Sequence, residues 1–293
     1  MTDYRYITVT PLTPAVGAAV GGIDIAAGVD DAALREVHAA LMAHGAVFFR
    51  DQDITPVQQR DFAARFGRLR TAKRSAFLVE EGVPEMHVLI NDRERPPNVN
   101  HYHSDGIFRA EPEFASILRA VECPETGGDT IFVGMQAAYA ALSDEMKAYL
   151  EGKEAVHDFM KLHGSPKKAR SWEGDNAERM EASRRANPPV AHPMVKTHPV
   201  TGAKSLYISE SFTASVLGVG EDESRGLLDL LNRHCARPEF QCRFHWRPHS
   251  MALWDNRATM HYAVADYWPE KRLMNRVTIE TDAIGEAKAV AAE

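Results

Sequence analysis

His103 and Asp105 stand two residues apart in the stretch Asn100-His101-Tyr102-His103-Ser104-Asp105-Gly106-Ile107-Phe108. In an extended strand the side chains at i and i+2 point to one face, so an imidazole and a carboxylate would converge there on a small volume. That is a donor set for a metal ion. Completed by one distant histidine, a His-x-Asp pair is the facial triad of non-haem Fe(II) oxygenases, which leaves other coordination positions open for a cosubstrate and dioxygen. The pair alone is a weak signal, because a surface histidine beside a turn-forming aspartate reads the same way. Among 13 histidines, one context for a third ligand stands out: Trp254-Asp255-Asn256-Arg257-Ala258-Thr259-Met260-His261, read as a strand, then a turn, with His261 at its end. Arg272 and Arg276 follow, in or beside a strand spanning Arg276 to Thr281. Two arginines feeding a buried strand are costly unless each meets a carboxylate or similar anion, so anionic ligands are expected.

The elements that must position these groups are legible in outline. Asp30 or Asp31 can cap a helix with Leu34, Val37 and Leu41 on one face and Gly45 at its C-cap. His38 and His44 fall on that helix with no second ligand one turn away, and read as packed or solvated. Ala46 to Arg50 is a buried strand. Thr55, Pro56 and Gln58 spell a helix start with a capping box, Phe62 and Phe66 share a face, and Gly67 closes the helix. The basic cluster Arg68, Arg70, Lys73 and Arg74 is either a solvated loop or a rim attracting an anion. Glu85 to Ile90 and Ala115 to Val121 read as strands flanking the His103 stretch, and a Gly127-Gly128 turn leads into the strand Thr130 to Val133. No Walker lysine accompanies those glycines, so they are not a phosphate loop.

Ser143 caps a short helix ending at Gly152. From Gly164 to Pro189 the chain turns polar and charged, as a lid or an exposed excursion would. Short strands at Lys196 to Thr197, Ser205 to Glu210, Gln241 to Trp246 and Met251 to Asn256 follow, interrupted by one helix around Leu227 to Cys235. Short strands joined by turns indicate a mainly β, antiparallel double-sheet domain with helical decoration.

Composition narrows the class. The chain has 293 residues, 44% hydrophobic and 26% charged, and no run approaches the roughly 20 apolar residues of a membrane span. The N-terminus lacks an apolar signal core, and Cys123, Cys235 and Cys242 show no Cys-x-x-Cys spacing, so a cytoplasmic protein with reduced thiols is expected. A net charge of -7 with scattered basic residues argues against nucleic-acid binding.

Taken together, His103-Ser104-Asp105, Gly127-Gly128-Asp129-Thr130, Trp254 to Arg257, His261 and the pair Arg272 and Arg276 resemble the taurine dioxygenase family, which includes the 2,4-D dioxygenase. The similarity runs close to full length and takes in Arg50-Asp51-Gln52, Ala186-Asn187-Pro188-Pro189 and Arg237-Pro238-Glu239-Phe240. It implies one domain over residues 1–293 folded as a double-stranded β-helix, the cupin-like jelly roll. It also implies Fe(II) held by His103, Asp105 and His261, with 2-oxoglutarate as cosubstrate and O2 as oxidant. Arg272 and Thr130 match the residues that bind the distal carboxylate of 2-oxoglutarate, and a planar guanidinium suits that task. The products implied are succinate, CO2 and a hydroxylated substrate. Related halogenases replace the carboxylate ligand with a small residue, and Asp105 keeps it.

Arg276 matches the arginine that grips a substrate's sulfonate or carboxylate, and Phe108 and Phe212 match aromatic pocket positions, though both also suit a plain core. Several positions depart from the taurine enzymes. Their His and Tyr after the Thr-Pro helix are Ala72 and Ser75 here, a Phe is His163, and the Asn before the first ligand is Val99. His101 and His163 are candidate polar pocket groups or structural histidines. The expected substrate is a small anionic organic acid: a sulfonate, a sulfate ester, or a carboxylate such as an aryloxy acid. Alternatives are a taurine dioxygenase proper, a zinc metallohydrolase and a non-catalytic 2-oxoglutarate sensor. The expected assembly is a homo-oligomer, dimer or tetramer, without membrane or nucleic-acid partners.

Overall fold

The computed structural model describes residues 3–71, 78–163 and 176–290. In chain order its strands are β1 (Thr8–Pro11), β2 (Ala18–Gly21), β3 (Ala46–Phe49), β4 (Leu78–Glu80), β5 (Val83–Asn91), β6 (Ala115–Glu122), β7 (Thr130–Gly134), β8 (Glu154–His157), β9 (Val190–Pro193), β10 (Val195–Thr197), β11 (Lys204–Leu206), β12 (Thr213–Val216), β13 (Gln241–Phe244), β14 (Met251–Asp255), β15 (Thr259–Ala263) and β16 (Arg272–Ile279). An eight-stranded sheet runs β1-β2-β3-β14-β6-β16-β5-β4, and a three-stranded sheet runs β13-β7-β15. The small sheets β12-β8-β9 and β10-β11 complete the set.

Alternation along the strands divides the large sheet into two apolar faces. β6 sends Ala115 and Ile117, β14 sends Met251 and Leu253, and β16 sends Val277 and Ile279 to one face, beneath the helices Asp31–His44 and Pro56–Ala64. Leu118, Ala120, Ala252, Trp254 and Met274 turn to the other face and meet Phe132 of β7 and Phe244 of β13. Phe48 and Phe132 are fully buried there with ring centroids 5.3 Å apart. Each such side chain contributes about 1.5–3 kcal/mol relative to leaving it exposed. Polar site residues enter the space between the two sheets by the same alternation: Ser116 on β6 and Arg272 and Arg276 on β16 share parity with its inward residues.

The helix ends follow local chemistry. The Asp30 side chain accepts from the Ala33 N–H, and Gly45 takes φ 68° at the C-cap. Thr55 and Gln58 cap each other reciprocally, as their spacing requires. That helix stops at Ala64, with Arg65 rather than Gly67 as its C-cap, because the chain already turns before Gly67. The later helix starts at Glu221, earlier than its apolar positions suggested, with Glu221, Asp222 and Glu223 complementing the positive end of its dipole.

Three strands, β8, β9 and β12, carry four residues each and no periodic signature that their sequence could display. The polar stretch Gly164 to Pro189 is partly seen. Residues 164–175 lie outside the described residues, whereas Asn176–Ala186 is a helix, with Arg184 and Arg185 both pairing with Glu181. Of the basic cluster, Lys73 and Arg74 lie outside the described residues, Arg68 pairs with Glu280, and Arg70 pairs with Glu113 and Glu280. Arg68 and Arg70 are therefore neutralised locally. No helix among the described residues is long and apolar enough to cross a membrane.

Candidate metal and cosubstrate site

His261 sits inside β15, opposite Phe132 of β7, not past the end of a strand. An isolated antiparallel bridge joins it to His103: the His103 N–H donates to His261 O at 2.9 Å, and the His261 N–H donates back to His103 O at 2.8 Å. This backbone exchange places the two rings side by side, centroids 4.1 Å apart. Ser104, which faces the other way, donates its hydroxyl to Thr259 O at 3.0 Å and pins the stretch to β15 a second time.

Asp105 does not lie on a strand, contrary to the i, i+2 expectation. The chain turns at Asp105 through Gly106, whose φ of 65° favours glycine, and a Cβ there would have to displace the Glu113 carboxylate. The convergence survives the turn. Asp105 Oδ1 lies 3.9 Å from His103 Nε2, and ligand atoms of His103, Asp105 and His261 all fall within 4.8 Å of one another.

Their electrostatics suit a cation. Burial, and next the nearby His261, push His103 down to about 3; burial also pushes His261 down to about 4, so both imidazoles are neutral near pH 7. His103 Nδ1 lies 3.1 Å from the His101 carbonyl, which can only accept, so Nδ1 carries the proton and Nε2 the lone pair. Burial alone would raise the Asp105 carboxyl, but Arg276, then His261 and His103, and the Ser116 hydroxyl hold it well below the usual carboxylate range. It is ionised. Two neutral imidazoles and one carboxylate form the donor set of the facial triad.

Arg272 and Arg276 project from the same side of β16, opposite Asn91 and His87 of β5. Their surroundings differ. Arg272 is 6% exposed, and its Nε and Nη2 are buried with no hydrogen-bond partner among the described residues. Its guanidinium lies 5.9 Å from the Trp246 ring and 5.8 Å from the Tyr267 ring. Thr130 is also buried and accepts the Trp246 indole N–H at 3.0 Å, which leaves the threonine proton to donate elsewhere. Gly128 packs here too, since a Cβ would meet Tyr267 at 3.2 Å and Arg272 at 3.4 Å. Burial lowers the Arg272 pKa, yet a guanidinium remains charged in proteins, so this corner is built for an anion. Arg276 instead donates from Nη1 to Asp105 Oδ1 at 3.3 Å.

Of the expected pocket residues, Phe108 and Phe212 are buried and meet with centroids 4.7 Å apart. His163 stacks on Phe159 at 4.2 Å and lies 6.0 Å from Phe212, completing an aromatic wall directly after the Asp105 turn. Met180, from the helix Asn176–Ala186, packs on this wall. His101 pairs through Nδ1 with Ser211 Oγ at 2.7 Å and contacts His103 edge-on. Val99 is half-buried, and Ala72 and Ser75 lie outside the described residues.

Sequence reasoning missed Trp246, Ser116 and His87, and quoted Asn256 only as part of the stretch Trp254 to Arg257, without a role. His87 is 5% exposed, faces Arg276 across the strand pair, and is pushed down to about 4 by burial and by Arg276. Its alternation with Leu89 and Asn91 was available as a signal, but β5 carries apolar residues on both faces.

A profile of the family "Taurine catabolism dioxygenase TauD, TfdA family" matches residues 8–278. The chain belongs to this family. Among relatives, it is 33% identical to an alkylsulfatase of Acinetobacter baylyi over 92% of this chain and 83% of the relative. It is 30% identical to the alpha-ketoglutarate-dependent 2,4-dichlorophenoxyacetate dioxygenase of Cupriavidus pinatubonensis, over 95% of this chain and 99% of that one. The crystal structure of a taurine dioxygenase from Burkholderia xenovorans superposes with a TM-score of 0.79 at 33% identity, covering 95% of this chain and 92% of that chain. Membership in the TauD and TfdA family thus extends across both sheets and all the candidate site residues.

Proposed function

We propose that this chain is an Fe(II)- and 2-oxoglutarate-dependent dioxygenase that hydroxylates a small anionic organic substrate: a sulfonate, a sulfate ester, or a carboxylate such as an aryloxy acid. The observation that carries the reading is Arg272, a buried guanidinium with hydrogen-bonding capacity left over, set against the Trp246 ring whose indole N–H binds Thr130. A zinc hydrolase would have no use for that second cationic corner. The residues fit the cofactor pair: His103, Asp105 and His261 would hold the ion, and Arg272 with Thr130 would take the distal carboxylate of 2-oxoglutarate. When bound, Fe(II) supplies dioxygen activation coupled to oxidative decarboxylation of the cosubstrate, with succinate and CO2 as products.

The chain's own residues bind and orient. Arg272 fixes one end of the 2-oxo acid through paired N–H donors, so its other end is aimed along the sheet toward the triad. Arg276 takes the anionic head of the primary substrate. Phe108, Phe212 and His163 face its apolar body, with His101 as a polar neighbour. The helix Asn176–Ala186 covers the wall through Met180 and helps exclude water. We read the two facing sheets as a double-stranded β-helix, or jelly roll, forming one catalytic unit over residues 1–293. A homo-oligomer in the cytoplasm is the assembly proposed. Relatives named for an alkyl sulfate and an aryloxyacetate support an anionic substrate.

The test is Fe(II)-dependent succinate formation, screened across alkyl sulfonates, alkyl sulfates and aryloxy acids. At least one acid should raise succinate well above the substrate-free background, with a hydroxylated or cleaved product in equal amount. Background rates with every class, alongside an Arg272→Ala variant of unchanged 2-oxoglutarate affinity, would overturn the reading.

A further inference from the structure

We propose that Ser116, oriented by Asn256 and Trp254, is a positioning device that keeps the Asp105 carboxylate a one-oxygen ligand. This rests on the metal reading of the triad given above. The Ser116 hydroxyl lies 2.9 Å from Asp105 Oδ2, Asn256 Nδ2 lies 3.5 Å from Ser116 Oγ, and the Trp254 indole nitrogen lies 2.9 Å from Asn256 Oδ1. Ser116 is fully buried, Trp254 is 1% exposed and Asn256 4%, so water does not compete for these groups.

The direction of every hydrogen bond in this chain is forced from both ends. An ionised carboxylate only accepts, so Ser116 must give its one proton to Asp105 and can only accept from Asn256. Asn256 must then present its NH2 to Ser116. Independently, an indole N–H only donates, so the same amide must present its oxygen to Trp254. The two requirements agree on one amide orientation, which an isolated asparagine would not have. The order is therefore Trp254 to Asn256 to Ser116 to Asp105.

The consequence lies at the carboxylate. With Oδ2 engaged by Ser116, Oδ1, the oxygen 3.9 Å from His103 Nε2, is left to meet the ion, with Arg276 Nη1 reaching the same oxygen at 3.3 Å. A carboxylate free to rotate can chelate through both oxygens and fill a position that the 2-oxo acid or dioxygen needs. Ser116 comes from β6 and Asn256 from the turn after β14, so the restraint ties the Asp105 turn to the large sheet, whereas His103 is tied to β15.

Co(II) is the probe, because its visible spectrum reports coordination number without turnover. Ser116→Ala removes one oxygen atom and should weaken Co(II) binding about 10- to 100-fold, as loss of such outer partners typically does, with a changed d–d band shape. Ser116→Thr should restore both. Asn256→Asp keeps the side-chain shape but turns the donor into an acceptor. It should pull the serine proton away from Asp105 and match Ser116→Ala, and the double variant should be no worse than either single. Thermal melts and far-ultraviolet circular dichroism check that each variant folds; should Asn256→Asp not fold, Trp254→Phe replaces it and should give a smaller loss in the same direction. Wild-type affinity and spectrum in Ser116→Ala would overturn the proposal while leaving the triad standing. A loss in Ser116→Ala but none when Asn256 is changed would overturn the directed chain. No Co(II) binding by the wild type, or equal binding by His261→Ala, would overturn both this and the metal reading.

Discussion

The two arginines of β16 sit four residues apart on one face of one strand and have opposite circumstances. Arg272 is walled in by Trp246, Tyr267 and Gly128, and its Nε and Nη2 have no hydrogen-bond partner among the described residues. Arg276 contacts the carboxylate of the triad itself. Around Arg272, the walls come from the ends of strands and the loops joining them: Gly128 precedes β7, Trp246 follows β13, and Tyr267 lies between β15 and β16. The aromatic wall, by contrast, comes from a turn, the short helix Phe159–His163, the segment before β12 and the helix Asn176–Ala186. On the roles proposed above, the cosubstrate corner is built on the strands and the loops joining them, and the substrate wall on separate pieces that can change independently.

The largest effect that would break this comparison concerns the triad both ends share. His103→Ala or His261→Ala should abolish turnover and the weak visible charge-transfer band expected when 2-oxoglutarate is added anaerobically to the Fe(II) protein. Full turnover in either variant would remove the common centre.

Next in size is Arg272→Ala. It strands the distal carboxylate in a desolvated corner at a cost of about 2–5 kcal/mol, so the apparent 2-oxoglutarate constant should rise about 30-fold or more while Co(II) affinity stays within about twofold. An unchanged constant would move the cosubstrate anchor to another basic residue.

Arg276→Ala should act on the other partner. Each active acid would be compared with its neutral amide or ester; the wild type should prefer the acid, and the variant should lose most of that preference, about tenfold if one charge-assisted hydrogen bond of about 1.5 kcal/mol is removed. Because Arg276 also touches Asp105, metal affinity must be measured alongside. A variant that keeps its preference for anions would show that the substrate end is not organised around this residue.

The smallest effect is dynamic. Amide exchange within Asn176–Ala186 should slow severalfold when an active acid and 2-oxoglutarate are both bound, and respond little to 2-oxoglutarate alone. Equal protection in all states would make the helix a fixed part of the wall.

The sequence by itself determined which atoms are available. His103, Asp105, His261, Thr130, Arg272 and Arg276 are identifiable from residue type, spacing and family pattern, and the capping signals of the first two helices are local chemistry that tertiary contacts had only to accept. What the tertiary structure alone decided is where those atoms point. The i, i+2 geometry that suggested His103 and Asp105 converge is not the geometry that brings them together; a backbone bridge to β15 holds one, and a glycine turn and Ser116 hold the other. Trp246 and Ser116 were invisible as site residues, and the role of Asn256 within its motif was invisible, for the same physical reason. A serine in a strand, or a tryptophan just past the end of one, becomes a positioning group when the fold brings up a distant partner, Asn256 for Ser116 and Thr130 for Trp246, and sequence spacing carries no record of that pairing.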